Sequence, residues 1–314
     1  MSTPIPADDD ARPLYRFWQP RYWGIWLFLG LLRINTLLPY RVQMAEGRAV
    51  GRLLYHLLRG RRRVAAANLA LCFRDATPDG RQRLLREHFA SLGMTVIEHA
   101  LAWWASDALV RRLVDLRGTD NLERAMAGGR GVILLTGHFG AQEFSGRAFA
   151  LACPPAAGFY RPSRNPLVDE LFKRVRKKSA PTLIPKDAVR RVVRALRRGT
   201  PVWYAPDQSY RRAQSALIPF FGEPAMTSTG LSELARLGNA AVVPLLPTRL
   251  PDGRGYRLDI LPALEGFPGA SPEEDARRVN GILEAHVRTV PEQYYWLHRR
   301  FKGRPEGYAD PYSG

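Results

Sequence analysis

From about Leu116 onward, short apolar runs alternate with helical patterns, the sign of an α/β sheet domain. GVILLTG (131–137) predicts a strand ending in glycine, and AAGFY (156–160) and VWYA (202–205) predict two more. Between these last two, Asp187–Arg198 predicts an amphipathic helix. Its apolar positions are Val189, Val192, Val193 and Leu196; Arg190, Arg191, Arg194, Arg197 and Arg198 fill the other face, and Gly199 stops it. A helix near 229–237 ends at Gly238, and AVVPLLP (241–247) is the next strand. Pro251-Asp252-Gly253 turns the chain into YRLDIL, which makes a hairpin. Ser271-Pro272-Glu273-Glu274 is a capping box with proline at the first helical position, so a helix runs from there toward Val290. Upstream, residues 41–115 read as a helical lead-in, with Pro78-Asp79 opening a long helix through Trp104. The expected fold class is therefore α/β, a mixed sheet flanked by helices. Residues 41–310 form one domain whose α/β core spans 116–310.

The front of the chain has a different texture. Residues 1–13 are polar, with an Asp8-Asp9-Asp10 run and three prolines, and predict a disordered tail. Tyr22–Leu32 is eleven residues without a charge; Arg33 and Asn35 interrupt it and Leu37-Leu38 resume it. As a helix, eleven residues reach about 16 Å, against a hydrocarbon core of roughly 30 Å. Extended to Leu38 the stretch reaches the lower limit for spanning. Trp18, Tyr22, Trp23 and Trp26 add interfacial aromatics. Residues 1–40 thus read as a tail plus an N-terminal membrane-anchoring helix, either marginally spanning or lying in the interface. No secretory cleavage site follows it.

Charge narrows the partners. Lys+Arg total 47 against 29 Asp+Glu, a net charge of +18, and only five of the basic residues are Lys. Such an excess calls for an anionic partner: nucleic acid, an acidic protein, phosphorylated lipid or an anionic bilayer. No nucleic-acid-binding motif or basic tail accompanies it. Cys72 and Cys153 sit in no CxxC or Cys/His ligand spacing, so neither a disulfide framework nor a zinc site is expected, and both read as buried core residues in a reducing compartment.

The segment with candidate chemistry is GVILLTGHFGAQEFSGR. Five residues along an α-helix turn through about 500°, so His138 and Glu143 would not share a helix face. To meet, His138 must sit on the strand-to-helix turn with Glu143 one turn into the helix, and Gly137 and Gly140 supply backbone freedom for such a turn. A carboxylate on one ring nitrogen would leave the other as a base. By residue type alone, a histidine near a glutamate is more often structural. There is no GxSxG elbow, Walker loop or GxGxxG unit, and His56, His88, His99, His286 and His298 are scattered with no metal triad among them.

His-x4-Glu at such a turn resembles the His-x4-Asp/Glu motif of the lysophospholipid acyltransferase superfamily. YRPSRNPLVDELFKRVRKKS, WYAPDQSY, PFFGEPAMTSTG and PEQYYWLHRRFKGRPEG are similar to the late acyltransferases of lipid A biosynthesis, the lauroyl branch in particular, over about Tyr22–Gly307. The resemblance implies a glycerolipid-acyltransferase-like fold. It also implies transfer of a fatty acyl chain from acyl carrier protein to a hydroxyl on an acyl chain of the Kdo-bearing lipid A precursor. The reaction would run at the cytoplasmic face of the bacterial inner membrane, with the thioester as co-substrate and no cofactor. The family's functional positions fall on His138 as general base, Glu143 as its orienting partner, Arg176 and Asp207, with Arg161 a further substrate-binding candidate. Asp207 follows a strand and a proline, which puts it on the same sheet edge as His138. Arg176, Arg161 or backbone N–H groups near Gly137–Gly140 are the candidate oxyanion donors. The expected partners are acyl carrier protein, the lipid A precursor and anionic lipid, with no nucleic acid. The alternatives are a glycerolipid acyltransferase of the same superfamily and a hydrolase using the same histidine.

Overall fold

Val114 opens the first strand, two residues ahead of the change in texture at Leu116. The computed structural model describes residues 12–160, 162–185, 187–209 and 214–313. The helical lead-in consists of α1 (Trp23–Asn35), α2 (Tyr40–Leu57), α3 (Arg59–Cys72), α4 (Pro78–Trp104) and α5 (Asp107–Leu113). Within the lead-in the chain breaks at Leu58, where α2 gives way to α3. Then come β1 (Val114–Arg117), α6 (Thr119–Met126), β2 (Gly131–Leu135), α7 (Gln142–Ala150), β3 (Ala157–Tyr160), α8 (Pro166–Ser179) and β4 (Thr182–Pro185). The chain continues through α9 (Val189–Arg197), β5 (Val202–Tyr204), β6 (Ser215–Phe220), β7 (Glu223–Ser228), α10 (Gly230–Gly238), β8 (Ala240–Arg249), β9 (Tyr256–Ile260) and α11 (Pro272–Thr289). The Ser271 cap forms as its sequence predicts, its Oγ accepting from the Glu274 N–H at 3.1 Å.

Seven strands form one sheet in the order β1-β9-β8-β2-β5-β3-β4. Pairing is parallel throughout except for the β8–β9 hairpin, so the sheet is mixed. The central strand β2 is buried along its whole length because helices cover both faces. Ile133 and Leu135 point to a layer with Val192 and Leu196 of α9 and Leu231 of α10; Val132 and Leu134 point the other way, to Leu122 of α6 and Phe149 of α7. The β6–β7 hairpin, which the sequence did not announce, turns at Phe221 and Gly222 with positive φ and packs its phenylalanines against Trp296 and Phe301.

The front of the chain departs from expectation. Helix α1 has 13 residues, about 20 Å of length, and among the described residues no helix is long and apolar enough to cross a membrane. The spanning alternative is therefore corrected. Leu29 and Leu32 are buried in a cluster with Met94, Ile97 and Leu101 of α4, while Trp23, Leu27, Leu31 and Ile34 stand exposed. The tail expected over 1–13 is also shorter at its C-terminal end: the Arg12 N–H donates to Glu170 at 3.1 Å, and the Arg12 carbonyl accepts from Arg174. Residues 1–11 lie outside the described residues. Cys72 is buried as expected, whereas Cys153 is only half-buried.

Candidate active site

Strands β2 and β5 are parallel neighbours, Leu135 beside Tyr204, so both chains leave the sheet at the same edge. The Thr136 N–H continues the ladder by donating to the Tyr204 carbonyl at 3.0 Å. Three residues past β2 stands His138; three residues past β5 stands Asp207. Both lie at the carboxyl ends of parallel strands, where open α/β sheets place their sites.

The two side chains meet there. Asp207 Oδ1 lies 2.6 Å from His138 Nδ1, and Asp207 Oδ2 accepts the His138 backbone N–H at 2.9 Å. The Tyr294 hydroxyl lies close to the same carboxylate and favours its charged form. Asp207 is 1% exposed. Burial alone would raise its pKa; the His138 ring, the His138 N–H and Tyr294 outweigh it and hold the carboxyl at about 2. An ionised acceptor on Nδ1 fixes the ring tautomer with its proton on Nδ1, leaving a lone pair on Nε2. Burial pulls the imidazole pKa down, but the Asp207 charge and bond pull harder, so it ends above its ordinary value; the nearby Arg176 charge opposes that rise. The His138 side chain remains 34% exposed, open to a substrate.

Glu143 forms no hydrogen bond to the histidine among the described residues, so the expected contact between the two is corrected. It sits in the first turn of α7 and accepts from Arg176 of α8, Nε to Oε1 at 2.9 Å with Nη2 closing a second bond. The reason is placement. The helix carries Glu143 toward α8, which packs alongside, while β5 delivers Asp207 directly to the imidazole. Burial raises the Glu143 pKa, but the Arg176 charge and bond, then the His99 charge, bring it below its ordinary value. Helix α8 is fixed at its start by Asn165, whose Oδ1 accepts from the Leu167 and Val168 N–H groups, and by Pro166 at the first position. Arg176 falls in its last turn, with its guanidinium 5.3 Å from the Phe172 ring centroid. The expected pair thus splits into two: Asp207 on His138, and Glu143 on Arg176. Arg161 lies outside the described residues.

A further element holds both loops. The segment after α11 crosses over them: Gly140 N–H donates to the Gln293 carbonyl at 2.9 Å, Tyr295 N–H donates to the His138 carbonyl at 2.9 Å, and Phe139 pairs with Tyr294 in an antiparallel bridge. Ser209 N–H donates to His298 Nε2 at 3.1 Å, and His298 is kept neutral by burial and the Lys302 charge, its pKa lowered to about 4. Sequence reasoning saw this C-terminal block only as part of a resemblance and treated His298 as filling. Its role depends on contacts across more than 80 residues, which no local pattern carries. Gly137 and Gly140 are also needed for a different reason than expected. Neither has positive φ; at Gly140 a Cβ would come within 2.4 Å of Thr95 Oγ1 and 3.0 Å of Arg249 Nη2. The turn is seated against α4 and the end of β8, and only glycine fits that approach.

Comparison with known proteins decides the family. The family model for bacterial lipid A biosynthesis acyltransferases matches residues 13–303. The chain belongs to that family. It is an acyltransferase of lipid A biosynthesis by family. Over 297 residues it is 39% identical to the lipid A biosynthesis palmitoleoyltransferase of Escherichia coli strain K12, covering 94% of this chain and 96% of that one. The lauroyltransferase of the same organism is 37% identical over 294 residues, covering 93% and 96%. A lipid A biosynthesis acyltransferase of Haemophilus influenzae is 35% identical over 294 residues, covering 92% and 94%.

Proposed function

We propose that this enzyme transfers a fatty acyl chain from the thioester of acyl carrier protein to a hydroxyl of an acyl chain on the Kdo-bearing lipid A precursor. The observation that carries the proposal is the His138–Asp207 dyad at the mouth of the sheet, in a chain of this family. His138 Nε2 takes the proton from the acceptor hydroxyl as its oxygen attacks the thioester carbonyl carbon. The C–O bond forms, and negative charge gathers on the former carbonyl oxygen. Collapse breaks the C–S bond, and the imidazolium returns its proton to the departing carrier thiolate. Asp207 positions the ring and stabilises its charged form. A group in that role makes base catalysis worth about 10²–10⁴-fold. No enzyme nucleophile is required, because the thioester is already activated.

Arg176 is proposed as the oxyanion donor, with Glu143 as the residue that positions it. Supporting this is its proximity to His138, felt as an opposing charge on the imidazole. A guanidinium held at one edge by a carboxylate still presents N–H groups at the other. Arg161 and the Arg face of α9 are proposed to meet the anionic substrates, the α9 face being suited to an acidic carrier.

The reaction is placed at the inner membrane, on its cytoplasmic face. What supports a membrane surface is an apolar exposure otherwise hard to explain: Trp23, Leu27, Leu31 and Ile34 repeat along one side of α1, and Leu53 and Leu57 are exposed on α2. Helix α1 would lie in the interface, one face on α4 and the other among lipid chains. The test is an in vitro assay with a panel of acyl-carrier thioesters and the tetra-acylated precursor. Product that forms only with the lipid A precursor supports the reading. Acyl release without an acceptor, or equal turnover of lysophosphatidate, overturns it.

A further inference from the structure

Beyond Tyr204 the segment that carries Asp207 leaves the sheet: the bond from the Thr136 N–H to the Tyr204 carbonyl falls three residues short of the carboxylate. A carboxylate 2.6 Å from an imidazole nitrogen keeps that geometry only if its own backbone is held, because small displacements of a reacting group are costly. Two residues past Asp207, Ser209 supplies such a hold. Its N–H donates to His298 Nε2 at 3.1 Å, and its Oγ donates to the Lys302 carbonyl at 3.1 Å. Both acceptors belong to the strap of chain that follows α11.

The strap is itself anchored where His298 sits. Asn68 of α3 is 1% exposed, and its amide donates to the carbonyls of Trp296 and His298 at 2.7 and 2.8 Å. Its Oδ1 accepts from the Tyr312 hydroxyl at 2.6 Å, so both ends of the amide are engaged. The Arg300 N–H also donates to the His298 carbonyl, at 2.9 Å. Three residues upstream of His298, the Tyr295 N–H donates to the His138 carbonyl at 2.9 Å. One short, anchored piece of chain thus grips both partners of the dyad: the His138 turn through its backbone, the Asp207 loop through a side chain.

The second grip fixes the chemistry of the ring that makes it. A backbone N–H can only donate, so His298 Nε2 offers its lone pair and the ring proton sits on Nδ1. The charged and titratable groups facing this ring are Lys302 and Arg300 of its own segment, Asp207 beyond β5 and His138 beyond β2. Burial first, then the Lys302 charge, lowers its pKa to about 4, so the ring is a neutral acceptor at neutral pH. Replacing it there removes no charge, and a change in His138 that follows comes from geometry.

We infer that His298 is a positioning residue: by holding the Ser209 N–H it sets Asp207 against His138. Its effect on turnover rests on the acyl-transfer reading above; its effect on the dyad does not. The test uses the full chain in detergent with nitrogen-15-labelled histidine, and follows the His138 titration without substrate. The spectrum of His138→Ala identifies the His138 resonances. His298→Leu should lower the His138 pKa toward its ordinary value, because the Asp207 charge and bond that raise it are then less well placed. The acidic limb of kcat should move to lower pH with it, and kcat should fall about tenfold at unchanged KM, the equivalent of one net hydrogen bond. Two amides separate that bond from the bulk of the ring. His298→Gln carries an oxygen at about the reach of Nε2 and should restore the titration, and kcat to within about threefold. His298→Asn carries it near the Nδ1 position, short of Ser209, and should behave as His298→Leu. The two amides are alike in polarity, so the comparison holds even where the Leu variant fails to fold. A wild-type His138 titration in His298→Leu or His298→Asn, or a Gln variant no better than the Asn variant, overturns the inference. The expected shifts in a protein that transfers no acyl chain would support it while overturning the proposed function.

Discussion

Two carboxylates stand near His138, and they differ in how they are reached. Glu143 is five residues away in sequence and belongs to the helix that the histidine turn leads into, yet it serves Arg176. Asp207 is 69 residues away and belongs to the next strand of the sheet, yet it holds the imidazole through both its ring and its backbone. The burial differs too: the Asp207 side chain is 1% exposed, the Glu143 side chain 17%. A parallel sheet brings together residues at the ends of adjacent strands, whatever their separation along the chain. A short motif records which residues are present, and only the strand order records which of them touch.

The largest effect that tests this division is at the dyad. His138→Ala should reduce acyl transfer by about 10²–10⁴-fold or more with thermal unfolding unchanged, since a half-exposed ring supports little of the core. Near-normal turnover would remove the base from the mechanism. Asp207→Asn should cost a similar factor, because the amide neither fixes the tautomer nor stabilises the imidazolium. It should also move the pH profile. The base must be neutral, so activity rises as pH passes upward through the His138 pKa, and the Asp207 charge and bond are what hold that pKa above its ordinary value. With the charge gone, the acidic limb of kcat shifts to lower pH. A limb that stays in place would show that another carboxylate sets it.

A smaller effect is expected at the second pair. Arg176→Lys keeps the charge but loses the planar fork, and kcat should fall about 10- to 100-fold with little change in the acidic limb. Glu143→Gln should fall on the same scale and likewise leave the limb nearly fixed, because Glu143 acts through Arg176. If Glu143→Gln instead moved the limb as far as Asp207→Asn, the two carboxylates would have to exchange roles.

Much of the fold was legible because it rests on local pattern. The five apolar residues of β2, the arginine-faced helix α9, the Ser271 cap and the β8–β9 hairpin all carry their signal within a few residues. Asp207 was also placed on the right edge from its position after a strand. The misreadings have one physical origin. Pairing of Glu143 with Arg176, seating of Gly140 against Thr95, and the strap through Gln293–Tyr295 are contacts between distant segments with no period in the sequence. The front of the chain misled differently. Helix α1 is apolar on all sides, and that pattern is shared by a spanning helix and by one packed on protein along one face; the burial of Leu29 and Leu32 separates the two.

The smallest effect should come from the outermost member of the dyad's support. Tyr294→Phe keeps the ring in its buried cluster with Phe220 and Trp296 and removes only the hydroxyl close to Asp207. Loss of a polar neighbour of a buried carboxylate should destabilise the fold by about 1 kcal/mol. It should also change acid stability in a defined direction. The native Asp207 pKa is held at about 2, below the ordinary value of about 3.9 for an unfolded chain. A depressed carboxylate contributes stability that is present above its unfolded pKa and is lost as pH falls toward the folded one. Removing that hydroxyl lets the native pKa rise, so less of that contribution remains and the acid-unfolding midpoint moves to higher pH. Denaturant unfolding from neutral pH down to about pH 2 measures both quantities. Activity should drop less than in Asp207→Asn, because the two bonds from His138 survive. A Tyr294→Phe variant with wild-type acid stability would mean that the hydroxyl is not a partner of Asp207 in solution, and that the strap holds the His138 turn through its backbone alone.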